Sequence, residues 1–160
     1  MKKQLTFLLA LTFLFLFSSG VFGDDFQDGV DAVDRGDYKT AHRLWLPLAE
    51  QGIALAQVLL GVMYENGEGV PQDYQEAVKW YRLSAEQGYS CAQVNLGVMY
   101  DQGLGVPQDY ILAHMWLNIA AGSARDKDTL TSRNIIEKKM TPSQIEEAQR
   151  LARNWKPKTK

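Results

Sequence analysis

The 160-residue chain is predicted to be all-α: a right-handed solenoid of stacked helix-turn-helix pairs closed by C-terminal helices. Three observations carry this expectation. The segment AQVLLGVMYENGEGVPQDYQEAVKWYRLSA at 56–85 recurs as AQVNLGVMYDQGLGVPQDYILAHMWLNIAA at 92–121, with eighteen of thirty positions identical at a shift of 36 residues. A period of that size marks stacked supersecondary units that bury their faces against one another. Within each copy the apolar residues recur with the helical period rather than with strand alternation. A single cysteine and 46% hydrophobic residues exclude a disulfide framework or a cysteine-rich zinc module, so an ordinary apolar core must hold the fold.

The first element is an address rather than a fold. Lys2 and Lys3 precede an uncharged run from Leu5 to Phe17, and the small residues of SSGVFG lead to the acidic pair Asp24-Asp25. That is the layout of a secretory signal peptide over residues 1–23, with the cut expected after Gly23. The uncharged stretch from Gln4 to Gly23 is also long enough to span a bilayer, so an uncleaved anchor is the alternative and the only expected membrane contact. Both place the remaining chain outside the cytoplasm, periplasmic or secreted. No cysteine follows the apolar run, so a lipoprotein anchor has no attachment point.

Residues 24–52 form a first, shorter repeat. Ala41, Ala49, Glu50, Gln51 and Gly52 lie 36 residues before Ala77, Ala85, Glu86, Gln87 and Gly88, while Gly36-Asp37-Tyr38 replaces the longer GEGVPQDY connection. Pro47 should kink the second helix near Arg43–Leu44. The second repeat spans 53–88 and the third 89–124. Their first helices present Ala56, Leu60, Gly61 and Tyr64, then Ala92, Leu96, Gly97 and Tyr100, as one inward face. A glycine on such a face costs about 1 kcal/mol against alanine, so Gly61 and Gly97 are expected to admit a neighbouring helix closely. The second helices turn Ala77, Trp80 and Ala85, and in the next copy Ala113 and Trp116, inward. Gly67 and Gly69 stop the first helix, Pro71 forces an extended step, and Asp73 caps the second, with Glu76 completing a capping-box pattern. Residues 125–160 close the chain: Thr141-Pro142-Ser143-Gln144 starts a helix whose stripe is Ile145, Ala148, Ala152 and Trp155, followed by the basic tail Lys156, Lys158 and Lys160.

These residues resemble the Sel1-like repeat, a relative of the tetratricopeptide repeat. The pattern A-x-x-x-L-G-x-x-Y-x-x-G-x-G-V-x-x-D-x-x-x-A-x-x-W-x-x-x-A-A-E-Q-G is matched almost throughout 56–88 and 92–121. RGDYKTAHRLWLPLAEQG resembles the opening repeat, and MTPSQIEEAQRLARNW the closing helix, of short exported bacterial members. Departures are Gly122-Ser123-Ala124 in place of Glu-Gln-Gly, and Ser84 for alanine. By the tetratricopeptide resemblance, Leu55, Val58, Leu59, Val62 and Glu65, followed by Val94, Asn95, Val98 and Asp101, would line a concave groove for a protein partner. Asn95 matches the groove asparagine that binds peptide backbone, whereas Leu59 replaces it one repeat earlier, against a full carboxylate clamp. The chain's own C-terminal helix, or a second copy, is the alternative occupant of that strip.

Charge and motif content narrow the chemistry. Formal net charge is −2, which argues against nucleic acid as partner. Residues 24–124 carry 14 acidic and 5 basic groups, and 125–160 carry 5 acidic and 10 basic, so attraction between the two parts of one molecule is expected. His42 and His114 stand two repeat steps apart with no third ligand type beside them, and no nucleophile, phosphate-loop or metalloprotease motif is present. No cofactor, metal or catalytic residue is expected. The function expected is therefore a non-enzymatic adaptor binding an envelope protein, with self-association also open. The alternative is a cell-wall ligand binder or an enzyme acting on β-lactams or peptidoglycan, although the paired cysteines of such relatives and an S-x-x-K serine are missing.

Overall fold

The computed structural model describes residues 21–124 and 127–158, and every regular element among them is an α-helix. The expected signal peptide lies almost wholly outside the described residues. The helices are α1 (Val21–Asp34), α2 (Tyr38–Glu50), α3 (Ala54–Asn66), α4 (Tyr74–Glu86), α5 (Ser90–Gln102), α6 (Tyr110–Ala124), α7 (Lys127–Glu137) and α8 (Pro142–Asn154). From α1 to α7 each helix packs on its neighbours in chain order, which makes three helix pairs and a following helix, an α-solenoid. Helix α8 breaks that order. It packs on α6 and makes little contact with α7, so α6 is enclosed by α5, α7 and α8.

Turn chemistry sets the pairing. Helices α3 and α5 end at Gly67 and Gly103, both left-handed with φ of 73° and 70°. Gly69 and Gly105 two residues later also have positive φ, and a side chain there would strike the carbonyls of Tyr38 and Tyr74 respectively. Each turn is thus seated on the start of the preceding repeat's second helix, a close approach only glycine permits. Asp73 caps α4 by accepting from the backbone N–H groups of Gln75 and Glu76 at 2.9 and 3.1 Å. The expected capping box is only half formed. Glu76 pairs with Lys79 at 3.0 Å, because the Asp73 N–H already donates to the Tyr64 carbonyl. The reciprocal box forms instead at α8, between Thr141 and Gln144. Pro47 sits inside α2, which continues through it to Glu50.

The inward faces fall where the periodicity puts them. Ala56, Leu60, Ala77, Ala92, Leu96 and Ala113 have no exposed surface, and Trp80 and Trp116 are 7% exposed. Gly61 and Gly97 are buried, while Tyr64 and Tyr100 are half-buried, their hydroxyls held at the rim by His42 at 3.3 Å and by Arg82 at 2.9 Å. A side chain at Gly61 would overlap the Tyr81 ring, and one at Gly97 would lie 2.9 Å from Leu117 Cγ. The first repeat does the same with Gly29, against Trp45. Polar residues also repeat in the core. Buried Gln57 donates to the Ala49 carbonyl and buried Gln93 to the Ala85 carbonyl, tying each first helix to the end of the preceding pair.

Candidate functional site

Leu55, at the start of the strip along the first helices, is 38% exposed, and Cys91, 36 residues on, is an exposed free thiol. Leu59, Val62 and Val94 are half-buried, each leaning on a different core cluster, and Val98 is half-buried as well. Val58 departs from expectation. It is buried in the central cluster with Val78, Tyr81 and Ala92, which removes it from any contact surface.

The polar residues of the strip are already engaged within the chain. Tyr81, fully buried on α4, donates its hydroxyl to Glu65 Oε2 at 2.6 Å, and Asn95 from α5 stands near the same phenol. Burial, and then the Glu65 carboxylate beside it, push the Tyr81 phenol far above its ordinary value. One repeat later Asp101 accepts from Lys139 Nζ at 2.8 Å, and that carboxylate holds the lysine amine above its ordinary value. Ile135 and Ile136 of α7 come with Lys139 and leave a shallow pocket of about 170 Å³ between themselves, Val98 and Leu117. His114, fully buried on α6, reaches Glu137 at the end of α7 at 2.8 Å. The end of the strip in the third repeat is therefore covered by the chain itself.

The two histidines remain apart, one on Tyr64 and one on Glu137, and among the described residues no three His, Cys, Asp or Glu side chains converge as a metal site would require. Among the described residues, too, no helix is long and apolar enough to cross a membrane. Sequence reasoning missed Tyr81 and Lys139. Tyr81 departs from the repeat as Leu117 does, and that difference between copies was the available signal; Lys139 stands outside the repeat, and only its charge pointed to it.

Stacked helix pairs with glycine-governed turns, and polar groups spent on holding the strip together, define a repeat scaffold built to present surfaces. The Sel1 repeat family model matches residues 26–53, 54–89 and 92–122, and the chain belongs to the Sel1 repeat family. Members of this family generally mediate protein–protein interaction. No curated protein matches the chain. It is similar to a crystal structure described as a protective antigen present in uropathogenic Escherichia coli strains displaying an SLR fold, with 34% identity, a TM-score of 0.80 and 85% of this chain covered. A Sel1 repeat protein from Oxalobacter formigenes shares the fold at 24% identity and a TM-score of 0.66, with 82% of this chain covered. The matches span 30% and 56% of those two chains, so both solved proteins are longer than the region they share with this one.

Proposed function

We propose that this protein is an exported, non-enzymatic adaptor of the cell envelope, periplasmic or secreted, that holds a protein partner against the concave face of its repeats. The observation that carries this reading is the uneven cover of the strip. Helix α7 and Lys139 close it at Val98 and Asp101, and Val94 packs on the cluster that includes Ile136 of α7, while Leu55, Cys91 and the half-buried Leu59 and Val62 have no such cover. An apolar row with a polar edge at Glu65 and Asn95 suits an amphipathic segment of a partner. Export is supported by Lys2-Lys3 and the apolar run behind them. The description of the Escherichia coli relative as a protective antigen agrees with it.

The test is a native pull-down from envelope extract with the wild-type protein, a Leu55→Glu version and an Asn95→Ala version. A protein retained by the wild type and reduced at least about tenfold by Leu55→Glu is the expected result, because a charge in an apolar contact costs several kcal/mol. Identical recoveries from all three would sink the strip as the binding surface. Recovery of the protein in the cytoplasmic fraction alone would sink export.

A further inference from the structure

Two clefts in this solenoid are related by the 36-residue step, and the structure fills only one of them. The filled cleft lies between the C-terminal ends of α4 and α6. Trp155 meets the Trp116 ring there with centroids 6.0 Å apart, and Leu151 and Ala152 join the same apolar cluster. Pro157 lies over Gly88, the Lys158 N–H donates to the Glu86 carbonyl at 2.7 Å, and Lys158 Nζ pairs with the Glu86 carboxylate at 2.8 Å. The occupant is an aromatic ring followed three residues later by a lysine.

One step upstream, Ala49, Glu50, Gln57, Trp80 and Leu83 stand where the filled cleft has Ala85, Glu86, Gln93, Trp116 and Ile119. Together with Glu86 and Gln87 they line an open cleft of about 360 Å³ between the ends of α2 and α4. Leu83 is 42% exposed and Glu50 is exposed. Gln57 is already satisfied, donating to the Ala49 carbonyl and accepting from Gln87, while the buried Trp80 Nε1 has no acceptor among the described residues. Lys158 reaches the rim of this cleft, but its charge is committed to Glu86.

We propose that the upstream cleft docks a partner segment that copies the chain's own C-terminus: an aromatic side chain laid on Trp80 and Leu83, followed three residues later by a lysine or arginine on Glu50. The filled cleft supplies the register, since Ala49, Glu50, Gln57 and Trp80 recur there as Ala85, Glu86, Gln93 and Trp116 and Leu83 as Ile119, while Glu86 and Gln87 become Gly122 and Ser123. Charge favours the cation, because residues 24–124 hold 14 acidic groups against 5 basic ones. The chain's own aromatic-and-lysine pair is seated downstream, so the occupant is another protein. The footprint is well below the roughly 1,200 Å² of a stable interface, so binding is expected to be weak and fast. This cleft is separate from the first-helix strip, and the two readings fail independently.

The probe is a synthetic peptide of residues 142–158, titrated into the intact protein and followed by amide NMR. Saturable shifts at Ala49, Glu50 and Leu83 are expected. Binding should weaken about tenfold or more with Leu83→Asp or Glu50→Lys in the protein, or Trp155→Ala in the peptide. A Lys158→Glu peptide should bind the Glu50→Lys protein better than it binds the wild type. Glu50 and Leu83 reach solvent, so both variants keep the fold, which circular dichroism checks. Lack of saturation at millimolar peptide, or shifts confined to Glu86 and Trp116 because the probe displaces the chain's own tail, would overturn the proposal. So would a peptide-free dimer dissolved by Leu83→Asp, which would make a second copy the occupant.

Discussion

The second and third repeats share eighteen of thirty residues over 56–85 and 92–121, yet their interiors are closed by different chemistry. In the second, Gly61 lies under the Tyr81 ring, and the Tyr81 hydroxyl donates to Glu65, tying the two helices of the repeat together. In the third, Gly97 faces the aliphatic Leu117, and the carboxylate equivalent to Glu65, Asp101, is met from outside the repeat by Lys139. The shared positions build the solenoid. The differing ones decide whether a repeat is locked from within or by the C-terminal segment.

The glycines test this difference most severely. Alanine recovers about 1 kcal/mol of helix propensity at either position. At Gly61 its Cβ would overlap the ring of a tyrosine with no exposed surface, which has nowhere to move. Gly61→Ala should therefore cost about 1–3 kcal/mol net, read as a lower urea midpoint at unchanged slope. Gly97→Ala meets Leu117 Cγ at 2.9 Å and the Ala113 carbonyl at 3.2 Å, an overlap of a few tenths of an ångström. Its net loss should stay below about 1 kcal/mol. Equal losses would mean that the two interiors are mechanically alike.

A smaller contrast comes from the buried glutamines. Gln57 Oε1 accepts from Gln87 at 2.8 Å, whereas Gln93 Oε1 has no donor among the described residues. The position equivalent to Gln87 is Ser123, one of the three departures from the Glu-Gln-Gly ending. Gln87→Ala should cost about 1–2 kcal/mol by stranding a buried acceptor, and Ser123→Gln should return about 0.5–1 kcal/mol by supplying one donor. A neutral Ser123→Gln would show that water already serves Gln93.

Much of this was legible in the sequence because it repeats. The helix pairs, the glycines at 61 and 97, the Asp73 cap and the Thr141 box all lie where local rules place them. Gly29 was not, although it serves against Trp45 as Gly61 does against Tyr81. The first repeat's shorter turn puts Gly29 32 residues before Gly61 while Trp45 keeps the 36-residue step to Tyr81, so a single period hides the pair. The buried glutamines have no local signal; their role depends on a carbonyl eight residues back that only packing brings near. The path of α8 was hidden for a related reason. An amphipathic stripe tells which face is buried and not against which helix, and here α8 lies on α6 and sends Trp155 back to Gly88. Of the strip, Val58 was misplaced by treating all positions between the core residues as outward.

The pH dependence separates the two repeats next. Because Tyr81 is harder to ionise when folded, its contribution is complete below the ordinary tyrosine pKa near 10 and is lost as pH rises past it. The loss approaches about 1.4 kcal/mol per pH unit for one such group. Tyr81→Phe should cost about 1 kcal/mol at neutral pH through the bond to Glu65 and should flatten the alkaline decline. Tyr64, raised in the same direction by burial, leaves a residual slope, and Leu117 in the third repeat adds none. An unchanged slope in Tyr81→Phe would relocate the alkaline sensitivity to Tyr64.

The pairing of Asp101 with Lys139 carries the smallest energy and tests how the third repeat is locked. The lysine side chain is 41% exposed and the aspartate 22%, so solvent screens the pair. A double-mutant cycle of Asp101→Ala and Lys139→Ala should give a coupling of about 0.2–1 kcal/mol, shrinking toward zero at 1 M salt, where the screening length falls to about 3 Å. The bond from Tyr81 to Glu65 should keep its coupling in the same salt, because its donor is buried and neutral. Amide exchange in α7 then decides what the ion pair does. If exchange in Ile135 and Ile136 quickens with Asp101→Ala, the pair is the latch that holds α7 over Val98. If it does not, α7 is held by buried Ile136 and by the contact of His114 with Glu137, and Lys139 serves only to neutralise the acidic end of the strip.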